Sequence, residues 1–196
     1  AGAIEAHHRA HGGWMRAGDL ATHAVEVAPP LRGSYLGNEV LTCGPWCQGP
    51  LLLQFLNILE HFDLPSLAHN SAAYLHVLVE AMDLALSDRE YFYGDPHYGN
   101  VPLAGLISKE YGQQQARRIL LDRTSARMPE PGDPWALTAG IERRSVPAIN
   151  LQRYVTDAGQ PQNDTSYVAA VDGDGSLFSA TPSDPIFNTP MIPGLG

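Results

Sequence analysis

Little in this chain invites a polyanion: only 12 Lys and Arg stand against 21 Asp and Glu in 196 residues, a formal charge of −9. Nucleic acid and an anionic membrane surface both select for a basic footprint, so neither is expected as a partner. Long apolar runs are missing too. The best candidate, Pro50 to Leu59, contains Gln54 and Asn57 and falls short of the roughly 18–20 apolar residues a spanning helix needs. The chain opens AGAIEAHHRAHGGW, with no initiator Met and no basic start followed by an apolar core, so no secretory signal is read. A soluble protein is expected, with the compartment left open between cytoplasm, periplasm and exterior. Cysteine is scarce: Cys43 and Cys47 share the segment TCGPWCQGP. Two thiols at that spacing allow a small loop disulfide or part of a metal site, but a metal site takes three or four ligands and none is spaced nearby. Unlinked loop thiols are the simpler reading, and no metal or cofactor is expected.

What is present reads as globular. Hydrophobic residues make up 44% and charged residues 17%, enough for one sizeable domain whose natural partner is a small molecule or peptide. A short helix is expected over Ile4 to Ala10, stopped by Gly12-Gly13, and a second over Ala17 to His23. Val25 to Pro30 alternates and ends at two prolines, which reads as a strand paired, after an Arg32-Gly33 turn, with Ser34 to Thr42. Leu51 to Phe62 has helical spacing, with Leu52, Phe55, Leu56, Leu59 and Phe62 on its apolar side. The longest helix is expected over Ser71 to Tyr91, capped by Asn70 or Ser71, with Tyr74, Leu75, Leu78, Val79, Met82, Ala85 and Leu86 buried. A last helix should run from Ser108 to Leu121.

From Thr124 the texture changes. MPEPGDP and TDAGQPQND punctuate a run to Asp164 with few periodic apolar residues, which reads as an exposed connector. Two alternating segments follow, Thr165 to Val171 and Ser176 to Thr181, joined by Asp172-Gly173-Asp174-Gly175, a strong hairpin signal. Thr165 thus sits where a connector meets a strand. In an intact chain it is an ordinary strand-starting residue. Cut at the Asp164–Thr165 bond, it would carry a hydroxyl and an α-amine of pKa about 7.7–8.0 in one residue, a nucleophile with its own general base.

The segment DTSYVAAVDGDGSLFSATPSD resembles the start of the small subunit of the γ-glutamyltranspeptidase family, where a Thr precedes a strand, a V-D-x-D-G hairpin and a second strand. LTCGPWCQGPLLLQFLNILEHFDL resembles that family's proline-rich loop and leucine-rich helix, and LHVLVEAMDLALSDREYFYGDP its H-x-x-x-E-A helix ending in D-R and G-D-P. The three blocks stand in the family's order. The resemblance implies a mixed α/β (α+β) fold, part of the four-layer αββα sandwich of N-terminal-nucleophile hydrolases, helical over its first two-thirds with a hairpin near the C-terminus. It implies autocatalytic cleavage between Asp164 and Thr165, and transfer of a γ-glutamyl or related acyl group through an acyl-enzyme to water or an amine. Residues 1–123 would then belong to the large subunit, 124–164 to the linker and 165–196 to the small subunit, the two associating after cleavage. Ser183, eighteen positions after the nucleophile, falls where the family has a hydroxyl that hydrogen-bonds it, with Thr181 beside it. Pro185 stands where the family commonly has an Asn that binds the glutamyl α-amine. The family's oxyanion glycines, paired serines and substrate-gripping Arg have no counterpart between Ala1 and Gly196. The competing expectation is an uncleaved, non-catalytic scaffold of the same fold.

Other groups have plainer readings. His7 and His11 share a helix face at ligand spacing but lack an acidic companion, so an exposed polar face is expected. Asp172 and Asp174 imitate a calcium loop without its closing Glu. Arg89 is expected to make ion pairs at the end of the long helix, and Glu80 to be a hydrogen-bonding scaffold residue.

Overall fold

The computed structural model of the chain describes residues 1–143, 166–181, 192 and 194, and these fall into two compact units. One spans Ala28–Asn150; the other joins Ala1–Val27 to Leu151–Gly196.

The first unit begins with a two-stranded antiparallel sheet, β1 (Leu31–Tyr35) on β2 (Asn38–Thr42), with Leu31 opposite Thr42 and Tyr35 opposite Asn38. The strand expected over Val25 to Pro30 does not form, and the turn is not at Arg32-Gly33. Pro29 and Pro30 lack the N–H a ladder needs, so pairing starts only after them. The reversal is made by Leu36 and Gly37, both at positive φ (47° and 82°), the geometry of a two-residue hairpin turn. Leu36 gives no Asn-Gly signal. Its conformation is held from outside, because its N–H donates to Glu60 Oε1 (2.8 Å). Lys109 Nζ reaches Glu60 Oε2 (2.5 Å) and the Ser34 carbonyl (2.7 Å). Gly33 lies within β1 because a Cβ there would meet a Leu53 methyl at 2.5 Å.

Helices α3 (Gly49–Leu59), α4 (Ala72–Phe92), α5 (Leu103–Leu106) and α6 (Lys109–Ala116) follow. Ser71 caps α4 by accepting from the Tyr74 N–H, and Ser108 caps α6 by accepting from the Tyr111 N–H. One apolar cluster joins Ile58 and Leu59 of α3, Val77, Ala81 and Leu84 of α4, Ala116 of α6 and Ile119. A second gathers Phe92, Val101, Leu106 and Tyr111, with Trp135 edge-on to Phe92.

Both long helices are rotated from the expected faces. In α3 the buried residues include Leu53, Gln54, Asn57 and Ile58 while Leu52 is exposed; in α4 they include Val77, Glu80, Ala81, Leu84 and Asp88 while Leu75 and Val79 are exposed. Polar partners cause the rotation. Asn57 Nδ2 donates to the Ile107 carbonyl (2.8 Å), and its backbone lies so close to α6 that a Cβ on Gly112 would meet it at 2.9 Å. Helix α6 stops five residues short of the expectation because the turn after Ala116 delivers Ile119 to the core.

Residues 124–143 are mostly exposed but tied to α4 and α5. Glu80 accepts from the Ser125 N–H (2.8 Å) and hydroxyl (2.7 Å), Ser87 donates to the Pro129 carbonyl (2.6 Å), and the Gly105 N–H donates to Thr138 Oγ1 (3.0 Å). A single 3₁₀ turn, Pro134–Leu137, interrupts the segment.

In the second unit α1 (Gly2–Ala10) and α2 (Ala17–Thr22) are joined by Glu5, whose Oε2 accepts from the Ala17 N–H (2.8 Å) while its other oxygen takes Arg9. Asp19 caps α2 by accepting from the Arg16 N–H (2.7 Å). The remaining element is a hairpin, β3 (Val168–Val171) on β4 (Leu177–Ala180). The protein is α+β, its described helices preceding this hairpin. No helix among the described residues is long and apolar enough to cross a membrane.

Candidate functional site

The strand that the sequence singles out is β3. Val171 pairs with Leu177 and Val168 with Ala180. Their connection is built by Asp172, whose Oδ1 accepts the N–H groups of Asp174 (3.0 Å) and Ser176 (2.8 Å) while Gly175 takes φ +83°. The Ser176 backbone donor foremost holds the Asp172 carboxyl below the usual aspartate range. Asp172 thereby caps its own turn, the role an Asp has at the start of a tight hairpin connection. Thr181 is the first residue beyond β4 and is exposed. Asp164, Thr165, Ser183 and Pro185 lie outside the described residues. Tyr167, just before β3, places its hydroxyl 3.3 Å from Ser179 Oγ across the ladder.

The other expected groups have structural partners. Arg89 donates to Gln48 Oε1 (2.8 Å) at the start of α3 and pairs with the neighbouring Glu90. His7 and His11 stack with centroids 4.2 Å apart, and His11 Nδ1 lies 2.8 Å from the His7 carbonyl. Cys43, half-buried, and Cys47, exposed, are unlinked. No group of three or more His, Cys, Asp or Glu among the described residues could hold a metal ion.

The sequence reading missed Asp88. It has no exposed surface, yet its carboxylate meets four donors: Gln54 Nε2 of α3 (2.9 Å), the Tyr111 hydroxyl (2.9 Å) and Gln115 Nε2 (3.1 Å) of α6, and the Gly132 N–H (2.9 Å). Burial pushes this carboxyl above the usual aspartate range, with the Gly132, Tyr111 and Gln54 donors only partly opposing it. Burial and then the Asp88 charge hold the Tyr93 and Tyr111 phenols above their ordinary value, so both remain donors. Tyr93 in turn donates to Gln54 Oε1. With its acceptor capacity filled, Asp88 ties α3, α4, α6 and the 124–143 segment together and is no poised acid. The signal was Asp on the inward side of a helix, one turn after Leu84. A cavity of about 360 Å³ opens beside this network, lined by Tyr111, Gln115, Arg118, Gly132 and Asp133.

Comparison with known proteins gives these elements a setting. A family model described as Gamma-glutamyltranspeptidase matches residues 1–193. The glutathione hydrolase proenzyme of Bacillus subtilis (strain 168) is 31% identical over 188 residues, covering 94% of this chain and 31% of that protein. The acylase ACY 1 proenzyme of Pseudomonas sp. (strain SE83) is 34% identical over 190 residues, 95% of this chain and 29% of its own length. Among solved structures, the Helicobacter pylori gamma-glutamyltranspeptidase superposes with a TM-score of 0.58 at 32% identity, over 63% of this chain and 36% of that one. The chain spans about a third of the length of the curated relatives it matches.

Proposed function

Because the chain belongs to the gamma-glutamyltranspeptidase family, matched over residues 1–193, we propose that it carries the maturation junction and nucleophile of an acyl-transferring amide hydrolase. In this reading the Thr165 hydroxyl attacks the Asp164 carbonyl, and the amide C–N bond breaks to free the Thr165 α-amine and leave an Asp164 ester on the hydroxyl oxygen. Water hydrolyses that ester, leaving residues 1–123 and the linker 124–164 on the large subunit and 165–196 at the head of the small one. The freed α-amine of Thr165 then takes the hydroxyl proton as the oxygen attacks a substrate amide carbonyl. An ester forms on Thr165, the amine product leaves with that proton, and water or an acceptor amine releases the acyl group. The donors for the tetrahedral oxyanion would come from outside residues 1–196.

The observation that carries this reading is the hairpin that follows Thr165 in the sequence, as the family pattern has it after its nucleophile. The ladder runs from Val171–Leu177 to Val168–Ala180, so β3 begins three residues after Thr165 in the sequence. By the family resemblance Ser183, eighteen positions after Thr165, supplies the hydroxyl that hydrogen-bonds the nucleophile, with Thr181, just beyond β4, as a second hydroxyl near it in the sequence. The relatives' printed names include both a glutathione hydrolase and an acylase. Pro185 bears on that choice, because proline offers no side-chain hydrogen bond to a glutamyl α-amine. We place the preferred donor among acyl amides without a free α-amine, such as a glutaryl amide.

Two measurements test this. Rapid quenching of the full-length parent protein with a slow amide donor should leave one acyl group on the peptide that begins at Thr165. Steady-state kinetics should favour the glutaryl amide over glutathione, a lost contact of about 1–3 kcal/mol corresponding to roughly five- to 150-fold in kcat/KM. Acylation elsewhere would remove Thr165 from the chemistry, and a higher kcat/KM for glutathione would assign amine recognition to another residue.

A further inference from the structure

The segment between β2 and α3 nearly closes on itself. Gly49, the first residue of α3, sits so tightly against the Cys43 carbonyl that a Cβ on it would lie 1.8 Å from that oxygen and 2.7 Å from Thr42 Oγ1. Only five residues separate these touching points. Inside the loop the Cys47 N–H donates to the Gly44 carbonyl (3.1 Å), a turn that holds the Cα atoms of 44 and 47 within about 7 Å. Cys43 is one peptide before that turn, and Cys47 lies two residues before the point where the chain returns to Cys43. Both ends are anchored: Cys43 follows the paired Thr42, and Gln48 is held by Arg89 of α4. A disulfide needs Cα atoms about 4.4–6.8 Å apart, which a loop closed in this way can reach by rotating two side chains and adjusting the turn. The two thiols also differ in access, Cys47 being exposed and Cys43 half-buried.

We propose that Cys43 and Cys47 form a reversible intrachain disulfide, with a small-molecule disulfide as oxidant. The Cys47 thiolate attacks one sulfur of the oxidant, RSSR, and expels RS⁻. The Cys43 thiolate then attacks Cys47 Sγ in the mixed disulfide and expels the second RS⁻. The protein dithiol loses two electrons, RSSR becomes two thiols, and the two protein thiol protons pass to the released thiolates through solvent. The bond locks the junction from which α3 starts, the helix that carries Leu53, Gln54 and Asn57 into the core. Reduction restores the open turn.

The test is thiol trapping on the full-length parent protein equilibrated in mixtures of reduced and oxidised glutathione. Both cysteines should become resistant to alkylation together, the monomer losing the mass of two hydrogen atoms and the two sulfurs appearing in one cross-linked peptide. Cys43→Ser should stop at a stable glutathione adduct on Cys47, whereas Cys47→Ser should react far more slowly. Separate adducts on both cysteines of the wild type, a dimer linked through Cys47, or thiols that remain alkylatable in the oxidised buffer would each overturn the assignment.

Discussion

The helical unit and the C-terminal hairpin treat their side chains in opposite ways. In the helical unit even a carboxylate, Asp88, is taken fully out of water and met by four donors. In the hairpin, Val168, Val171, Leu177 and Phe178 remain 51–79% exposed, and among the described residues the strands are held by backbone pairing, one loop carboxylate and the Tyr167–Ser179 hydroxyl contact. A lone two-stranded hairpin is marginal in water. The helical unit therefore contains the means of its own stability, while the described residues of the hairpin leave its apolar side chains uncovered. The difference follows the proposed division of labour, a scaffold on one side and the start of the nucleophile's strand on the other.

The comparison can be broken most forcefully at Asp88. Asp88→Ala should lower unfolding stability by about 3 kcal/mol or more, because each buried donor left unpaired costs roughly 1–3 kcal/mol. Chemical denaturation measures it, and a loss below 1 kcal/mol would mean that the network is optional. The sign of the pH effect is also fixed. A carboxyl raised above its unfolded value binds its proton more readily in the folded state, so its contribution is full below the unfolded pKa and is lost as pH rises through the folded one. The stability difference between wild type and Asp88→Asn should shift in favour of the wild type as pH is lowered through that window.

Gly112→Ala comes next. Its added methyl would meet Asn57 Cβ at 2.7 Å and the Asn57 carbonyl at 2.9 Å, forcing α3 from α6 at a cost of about 1–3 kcal/mol. Glu60→Ala should cost about 1 kcal/mol by freeing the Leu36 turn and Lys109. Partial burial raises the Glu60 carboxyl, but Lys109 and the Leu36 N–H outweigh it and leave the group below its usual range. Stability from this clamp is present above the unfolded glutamate pKa and should fade as pH drops through the lowered value. The smallest effect belongs to the hairpin. Phe178→Ser in the isolated chain should change stability by less than about 0.5 kcal/mol, and the amides of 168–180 should exchange much faster than those of α4. Strong protection there in a monomer would show that the hairpin has a core of its own.

Much of this architecture is legible in the sequence, and most of the failures come from partners far along the chain. Caps such as Ser71 and Ser108 and the Asp-Gly hairpin depend on residues a few positions apart. The burial faces of α3 and α4 do not. Counting apolar residues placed Leu52, Leu75 and Val79 inward, whereas Gln54, Asn57 and Asp88 go inward because each finds a partner 23 to 50 residues away. The first hairpin slipped for the same reason, its turn resting on Glu60, 24 residues beyond Leu36. Of the candidate site, Thr181 and the β3–β4 ladder are described, and the family order of the blocks accompanies the match over residues 1–193. The proposed roles of Thr165 and Ser183, which lie outside the described residues, rest on the family resemblance alone.

The most direct test of the account is the intact mass of the full-length parent protein after purification. Wild type should appear as two chains divided between Asp164 and Thr165, Thr165→Ser should mature more slowly, and Thr165→Ala should persist as one uncleaved chain. Cleavage of the Ala variant at the same bond, or a wild type that never divides there, would contradict it.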